Sequence, residues 1–445
     1  MRVLSGWGRT QPTVARVVTP ACEYDVAAIL AGAAGSVIAR GLGRSYGDAA
    51  QVAGGTVIDG RGLGGIGAID DASGEVEVGA GESIDALLRV AVPAGWFVPV
   101  TPGTRQVTVG GAIAADVHGK NHHRDGAICE HVSSLRLVTP SGAMTVGPDH
   151  DPEAFWGTAG AMGLTGVVTS ATIRMLRIET DRMALDTDRC EDLDAAMAAM
   201  SEDPDSHRYS VAWVDCMTTG PRLGRAVLTR AEHASREDLP AKHRDRPLAA
   251  PSATRLKVPW VAPKGLLTKA SIRAFNEAWF RHAPATRRGQ LVSLGTFFHP
   301  LDWVADWNLL YGPSGVVQYQ LAVPDRGGEA VRAAIELLAT SGVPSFLGVL
   351  KRFGPADAGP MSFPIEGWTL ALDMPVGPPQ LPSVLDRLDE LVAGAGGRVY
   401  LAKDARLDPR YLAAMYPRLG ELAALRQRLD PGGVLASDLS RRLGV

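Results

Sequence analysis

Three glycine-dense stretches crowd the N-terminal part of this chain: Gly41-Leu42-Gly43-Arg44-Ser45-Tyr46-Gly47, Thr108-Val109-Gly110-Gly111-Ala112, and a run with Gly157, Gly160, Gly163 and Gly166. Such punctuation forbids long regular elements there. It calls for short strands and helices joined by tight turns, where bare backbone comes close to whatever it wraps. The chain has 51 glycines and 30 prolines among 445 residues, without a Gly-X-Y period, so the excess belongs to loops and not to a triple helix. This length allows two to four domains and a core that needs no disulfide or metal staple.

The first stretch follows the apolar run Ser36 to Ala39 and invites a dinucleotide-binding reading, but its spacing is G-x-G-x-x-x-G. That fingerprint also needs a helix straight after the loop, so that a pyrophosphate meets its N-terminus. Here Asp48 to Gly55 is too short, and the next apolar run begins at Thr56. A strand-loop-strand turn with exposed amides remains, which suits a phosphate differently. The second stretch extends through Ala114-Ala115-Asp116-Val117-His118-Gly119, and its small residues let a flat ligand approach the backbone.

Several classes are disfavoured. Net charge is −3, against the basic balance of a nucleic-acid binder. Cys22, Cys129, Cys190 and Cys216 are scattered, with no C-x-x-C pair to suggest zinc or a disulfide framework. Met1 to Thr10 lacks the apolar core of a signal peptide. The longest uncharged run, Ala154 to Ile173, has the length of a membrane span, but its glycines and threonines suit a buried turn better.

Periodicity predicts helices over Glu23 to Ala34 and from Ser83 to about Val92, and strands at Thr56 to Asp59 and Glu75 to Val78. Pro140-Ser141-Gly142 reads as the turn of a hairpin. Past about Leu176, strands at Tyr209 to Val214, Ala226 to Thr229, Val316 to Val323, Ser345 to Leu350 and Thr369 to Met374 join helices at Glu329 to Thr340 and Leu381 to Ala393. This is an α+β pattern. Residues 242–273 carry eight Lys or Arg against one acid, with four prolines and with Trp260, Leu266 and Leu267 between the charges. A solvated mobile loop and a lid or arm meeting a phosphate or an anionic membrane are both open readings.

The three glycine stretches, in this order, resemble the FAD-binding domain of the vanillyl-alcohol oxidase / p-cresol methylhydroxylase superfamily. Leu429-Asp430-Pro431 to Ser437-Asp438 resembles its closing segment. Within the superfamily, Arg105 to Ile113, Asp116 to His123, Phe298-His299-Pro300-Leu301-Asp302, Gln318-Tyr319-Gln320, Ser362 to Ile365 and Ala402-Lys403-Asp404 resemble the decaprenylphosphoryl-β-D-ribose oxidase family. The resemblance runs nearly end to end. It implies a two-domain vanillyl-alcohol-oxidase-like fold: an FAD-binding domain of two α/β subdomains over 1–178, an antiparallel-sheet substrate domain over 179–398 that includes the mobile basic loop, and a segment over 399–445 returning to the FAD domain.

The resemblance also implies non-covalent FAD, because Arg44 stands where many members carry the attachment histidine and the second loop has no cysteine. Its cofactor contacts would be Ala39, Arg40, Gly41, Leu42, Gly43, Arg44, Ser45, Tyr46, Gly47, Gly103, Thr108, Val109, Gly110, Gly111, Ala115, Asp116, Val117, His118, Val168 and Tyr400. The implied substrate-binding residues are Gln318, Gln320, Lys351, Phe298, Trp213, Ala371 and Thr369; family members carry Tyr, Asn and Cys at the positions of Phe298, Thr369 and Ala371.

Alcohol oxidation needs an acceptor for hydrogen and a group for the hydroxyl proton. The resemblance makes Lys403, at the end of an apolar run, and Tyr46 candidates, and His118 joins them from its place directly after the small-residue cluster. His118 and His122 lie four apart, but Gly119 and Asn121 disfavour a helix and no ligand set completes a metal site. The implied activity is oxidation of the 2′-hydroxyl of a polyprenylphosphoryl ribose, the first half of an epimerisation toward an arabinose donor for cell-wall arabinan. A separate NADH-dependent keto-sugar reductase and an anionic membrane surface are the implied partners, with a place at the cell envelope. An aldonolactone or sugar oxidase of the same superfamily, and a flavin-bearing carbohydrate-binding or redox-sensing protein, stay open as alternatives.

Overall fold

The structure, a computed structural model, describes residues 1–203, 206–251, 256–263, 267–345 and 347–445. Strands Thr13–Val18, Thr56–Asp59 and Val37–Arg40 form a parallel sheet, with Arg2–Leu4 added antiparallel at one edge. No helix separates Val37–Arg40 from Thr56–Asp59, so the first glycine loop is a strand-loop-strand turn. Helix Glu23–Ala31 buries Val26 and Leu30 together with Val37 and Ile58 of this sheet. A second, antiparallel sheet has the order Glu75–Gly79, Val167–Arg174, Val132–Thr139, Gly142–Val146. Its last two strands are the hairpin read from Pro140-Ser141-Gly142.

The helix read from Ser83 is Ile84–Ala91: the Ser83 side chain accepts from the Ala86 amide, and Gly95 in the left-handed region ends the turn that follows. The run from Ala154 divides into helix Pro152–Thr158, a buried turn and strand Val167–Arg174. Among the described residues, no helix is long and apolar enough to cross a membrane.

The third sheet has eight antiparallel strands, in the order Thr286–Ser293, Arg182–Cys190, Ala226–His233, Tyr209–Val214, Gly348–Phe353, Gly367–Pro375, Val316–Pro324, Arg398–Val399. Its side chains alternate between two environments, as the strand period requires. On Val316–Pro324, Tyr319 turns to helix Leu381–Gly394, where its hydroxyl donates to Asp389 at 3.0 Å; Gln318 and Gln320 turn the other way. Helix Gly328–Ser341 covers the same outer face as Leu381–Gly394.

The chain ends against the first sheet. The Val37 amide donates to Val434 O, and Arg442 forms ion pairs with Asp48 and Asp404, both at 2.8 Å. The reading of 242–273 as one loop needs correction at its end. Thr268 and Ser271 form a reciprocal cap that starts helix Lys269–His282, and Leu256–Lys257 pairs with Val304–Ala305. Charge density and proline masked the capping signal. Arg255, Lys264 and Leu266 lie outside the described residues.

Candidate active site

A cavity of about 950 Å³ runs between the glycine loops and the inner face of the eight-stranded sheet. Its first half is made of backbone and small side chains. Gly41 lies so close to Thr108 that a Cβ there would sit 2.0 Å from the Thr108 hydroxyl oxygen, which itself caps the short helix Val109–Ala114. Gly43 has φ +63°, a turn that a side chain would strain. Arg44 folds back: its guanidinium donates to Leu42 O at 2.8 Å and lies 4.2 Å from the centre of the Trp7 ring.

Ala39, Arg40, Gly41, Leu42, Gly43, Arg44, Ser45 and Tyr46 line this half, with Gly103, Thr108, Gly110, Gly111, Ala115, Val117, His118, Val168 and Tyr400. Gly47, Val109 and Asp116 stand behind the wall. Gly47 presses on the carbonyl of Asp404, Val109 is fully buried, and buried Asp116 accepts from the Cys129 amide.

The second half is the sheet. Register sets Ala371 opposite both Gln320 and Val349, Trp213 opposite Val349, and Gln318 opposite Asp373. Gln318, Gln320, Lys351, Trp213, Ala371 and, from a neighbouring helix, Phe298 all line the cavity. Thr369 does not. It is buried behind Gln320, accepts from the Gln320 amide at 3.2 Å and donates to Leu321 O at 2.7 Å.

Gln320 spends its other amide hydrogen on His118, with 2.8 Å between Gln320 Nε2 and His118 Nε2. An amide nitrogen only donates, so His118 Nε2 accepts and its proton resides on Nδ1. That nitrogen is buried and has no hydrogen-bond partner among the described residues. Burial, and then the neighbouring Lys351, push the His118 pKa well below the usual range, so the ring is neutral. Phe353, Phe363 and Tyr400 hold it with centroids 4.9, 5.4 and 5.0 Å away.

Lys403 joins the two halves. Its ammonium lies 4.3 Å from the centre of the Tyr46 ring. Burial pulls its pKa down to about 8, and the nearby Asp373 carboxylate resists that fall. Asp373 accepts from Gln318 and from the Tyr311 hydroxyl; burial lifts its own pKa to about 6. Burial takes Lys351 to about 7, and its ammonium donates to Gly119 O at 3.3 Å. Sequence reasoning missed Asp373 and Lys120. Asp373 sits in a strand that reads as apolar, and its pairing with Gln318 exists only through the register. Lys120 also lines the cavity, its ammonium on Phe297 O and 4.1 Å from the centre of that ring.

Residues 14–147 match the family model described as "FAD binding domain". A decaprenylphosphoryl-β-D-ribose oxidase from Mycolicibacterium smegmatis is 44% identical over 99% of this chain and 97% of its own length. An uncharacterised protein from Streptomyces coelicolor is 39% identical over 82% of this chain and its whole length. Cytokinin dehydrogenase 2 of Arabidopsis thaliana is 29% identical over 37% of this chain.

Proposed function

This chain belongs to the family of decaprenylphosphoryl-β-D-ribose oxidases and is an FAD-dependent oxidoreductase, and from that premise we propose that it oxidises the 2′-hydroxyl of a polyprenylphosphoryl-β-D-ribose to the 2′-ketone. The residues present fit the cofactor. Gly41 packs on Thr108 and Gly110 on Ala80 so closely that a Cβ at either would push the loops apart, and buried His118 Nδ1, in the wall of the cavity they form, is a donor in search of an acceptor. FAD would rest against Gly41, Gly43, Ser45, Gly110, Gly111, Val117 and Tyr400, held without a covalent bond, since Arg44 occupies the first loop. Bound FAD supplies the acceptor for the two electrons and the hydrogen that leave C2′.

The protein orients the sugar and takes the hydroxyl proton. With a pKa near 8, Lys403 holds a usable neutral fraction at neutral pH, and its lone pair can accept the proton as the carbonyl forms. Tyr46 is a poor base: burial raises its pKa well above the ordinary value, so it stays protonated and acts as a wall and a donor. Gln318 keeps Asp373 in place beside Lys403. Gln320 and Thr369 fix the His118 tautomer.

One observation carries the choice of a lipid-linked substrate over a free sugar. The cavity opens past Trp213, Phe275 and Trp279; the last two are exposed, stacked at 6.1 Å, and continuous with the sheet wall. A free sugar has no use for an apolar mouth, whereas a prenyl chain leaving the site would cover it. The 2′-keto product would pass to a separate NADH-dependent reductase that completes epimerisation to the arabinose donor. Work on a lipid-linked sugar suits an enzyme peripheral to the membrane of the cell envelope, with exposed Lys257 and Trp260 toward an anionic surface. The test is product analysis. Holoenzyme, an electron acceptor and polyprenylphosphoryl ribose should yield a lipid-phosphoryl sugar that has lost two hydrogens and is trapped by a carbonyl reagent. A product only from free sugars or lactones would move the chain to the aldonolactone oxidases.

A further inference from the structure

Three lysines, Lys403, Lys351 and Lys120, line the cavity as a row, and they are not equivalent. Lys403 has a carboxylate neighbour in Asp373. Among the described residues, no carboxylate pairs with Lys351 or Lys120. Lys351 donates to Gly119 O, the carbonyl of the residue before Lys120, and Lys120 donates to Phe297 O. A backbone carbonyl satisfies one ammonium proton of three and neutralises no charge. The surrounding imidazoles add neither an acid nor a counter-ion: burial keeps His118, His122 and His299 neutral. Two adjacent ammonium groups in a cavity wall without an acid are costly unless something anionic completes them.

We propose that Lys120 and Lys351 form the subsite for the substrate's phosphodiester, one ammonium for each non-bridging oxygen. The inference rests on the substrate reading above and adds its orientation. In a β-D-ribosyl phosphodiester the phosphate is carried by C1′, next to the carbon that is oxidised. The anion subsite must therefore adjoin the proton acceptor. Lys351 meets that condition by its placement: its ammonium donates to Gly119 O, the residue after His118, and lies 5.8 Å from the centre of the Phe353 ring that packs on His118, close enough for the Lys403 charge to act on it. Lys120 then lies one step further from the chemistry than Lys351, its ammonium 4.1 Å from the centre of the Phe297 ring. A phosphodiester bearing one negative charge accepts charge-assisted hydrogen bonds from both groups.

The test uses holoenzyme and two probes. The first is an alkyl phosphodiester with no ribose, whose binding is measured by calorimetry; the second is a short-chain prenylphosphoryl ribose, used for kinetics. Lys120→Gln and Lys351→Gln should each weaken the alkyl phosphodiester at least tenfold, while Lys120→Arg keeps most of the binding and every variant keeps its flavin. Lys120→Gln should raise KM for the prenylphosphoryl ribose about tenfold and change kcat little, which a merely structural lysine would not do. The two readings fail separately: a phosphodiester that binds through these lysines while the ribose is not oxidised would sink the substrate reading alone. Equal binding by wild type and Lys120→Gln, or no phosphodiester binding by wild type, would overturn the subsite.

Discussion

The two halves of the cavity are built by opposite means. The loop half removes atoms: glycine and alanine leave bare backbone on the cavity wall, where the proposed cofactor would lie, and the fit between Gly41 and Thr108 leaves no room for a methyl group. The sheet half adds them: long side chains line it, and three lysines there, Lys351 on the sheet with Lys120 and Lys403 on adjoining loops, carry ammonium groups pulled down to pKa values of about 7 to 8 by burial. Shape is cheap to bury and hard to alter. Charge is costly to bury and easy to alter. The cofactor side should therefore fail by losing flavin, and the substrate side by losing rate or affinity while the flavin stays.

The sharpest contrast is Lys403→Met. It should keep bound FAD and lower the rate of anaerobic flavin reduction by roughly 10²–10⁴-fold, the range for a lost general base. A rate near the wild-type value would leave Lys403 with no part in the proton step. On the other side, Gly41→Ala should cut flavin content at least tenfold, whereas Gly35→Ala, which meets open space, should not. Flavin per polypeptide after gel filtration measures both, and a fully loaded Gly41→Ala would break the shape argument.

pH sharpens the comparison further. If Lys403 accepts the proton, it must be neutral, so the reduction rate should climb about tenfold per pH unit on the acid side and level off above its pKa of about 8. A rate that falls above pH 8 would mean that the lysine works as a cation instead. The smallest effect concerns stability. Lys120 titrates near 7 in the folded chain but near ~10.4 when unfolded. Between those values the unfolded state binds more protons, so this group's contribution to stability rises with pH and is lost as pH falls toward 7. Lys120→Met should therefore raise Tm by about 1–3 °C at pH 7 and by less at pH 9, followed by differential scanning fluorimetry. An unchanged or lower Tm at pH 7 would show that Lys120 is buried without penalty.

The difference between the halves also explains what the sequence could disclose. The loop half is local. Missing room for a helix after Gly47, Ser83 before an apolar period and Pro140-Ser141-Gly142 between two strands are signals within a few residues, and the corresponding turn, helix and hairpin are present. The sheet half is non-local. Lys120 gains its surroundings from Phe297 and Lys351, and Asp373 from Gln318, Tyr311 and Lys403, across separations that no window spans. The strands Arg182–Cys190 and Thr286–Ser293 carry no clear strand period because they lie at and beside the sheet's edge and mix charged with apolar residues. Helix Lys269–His282 was obscured by basic charge, although Thr268 and Ser271 signal its start. Thr369 shows the same limit at one residue: its place in the strand gives no hint that it buttresses Gln320 instead of touching the cavity.

We propose that one cavity joins an FAD cradle to a wall built for a lipid-phosphoryl sugar. Anaerobic mixing of the holoenzyme with polyprenylphosphoryl ribose tests it most directly. The yellow flavin band should bleach in a single turnover, free ribose at the same concentration should leave it unchanged, and acid precipitation should release the flavin into the supernatant. A band that stays yellow with the lipid-phosphoryl sugar, or bleaches equally with free ribose, would contradict it.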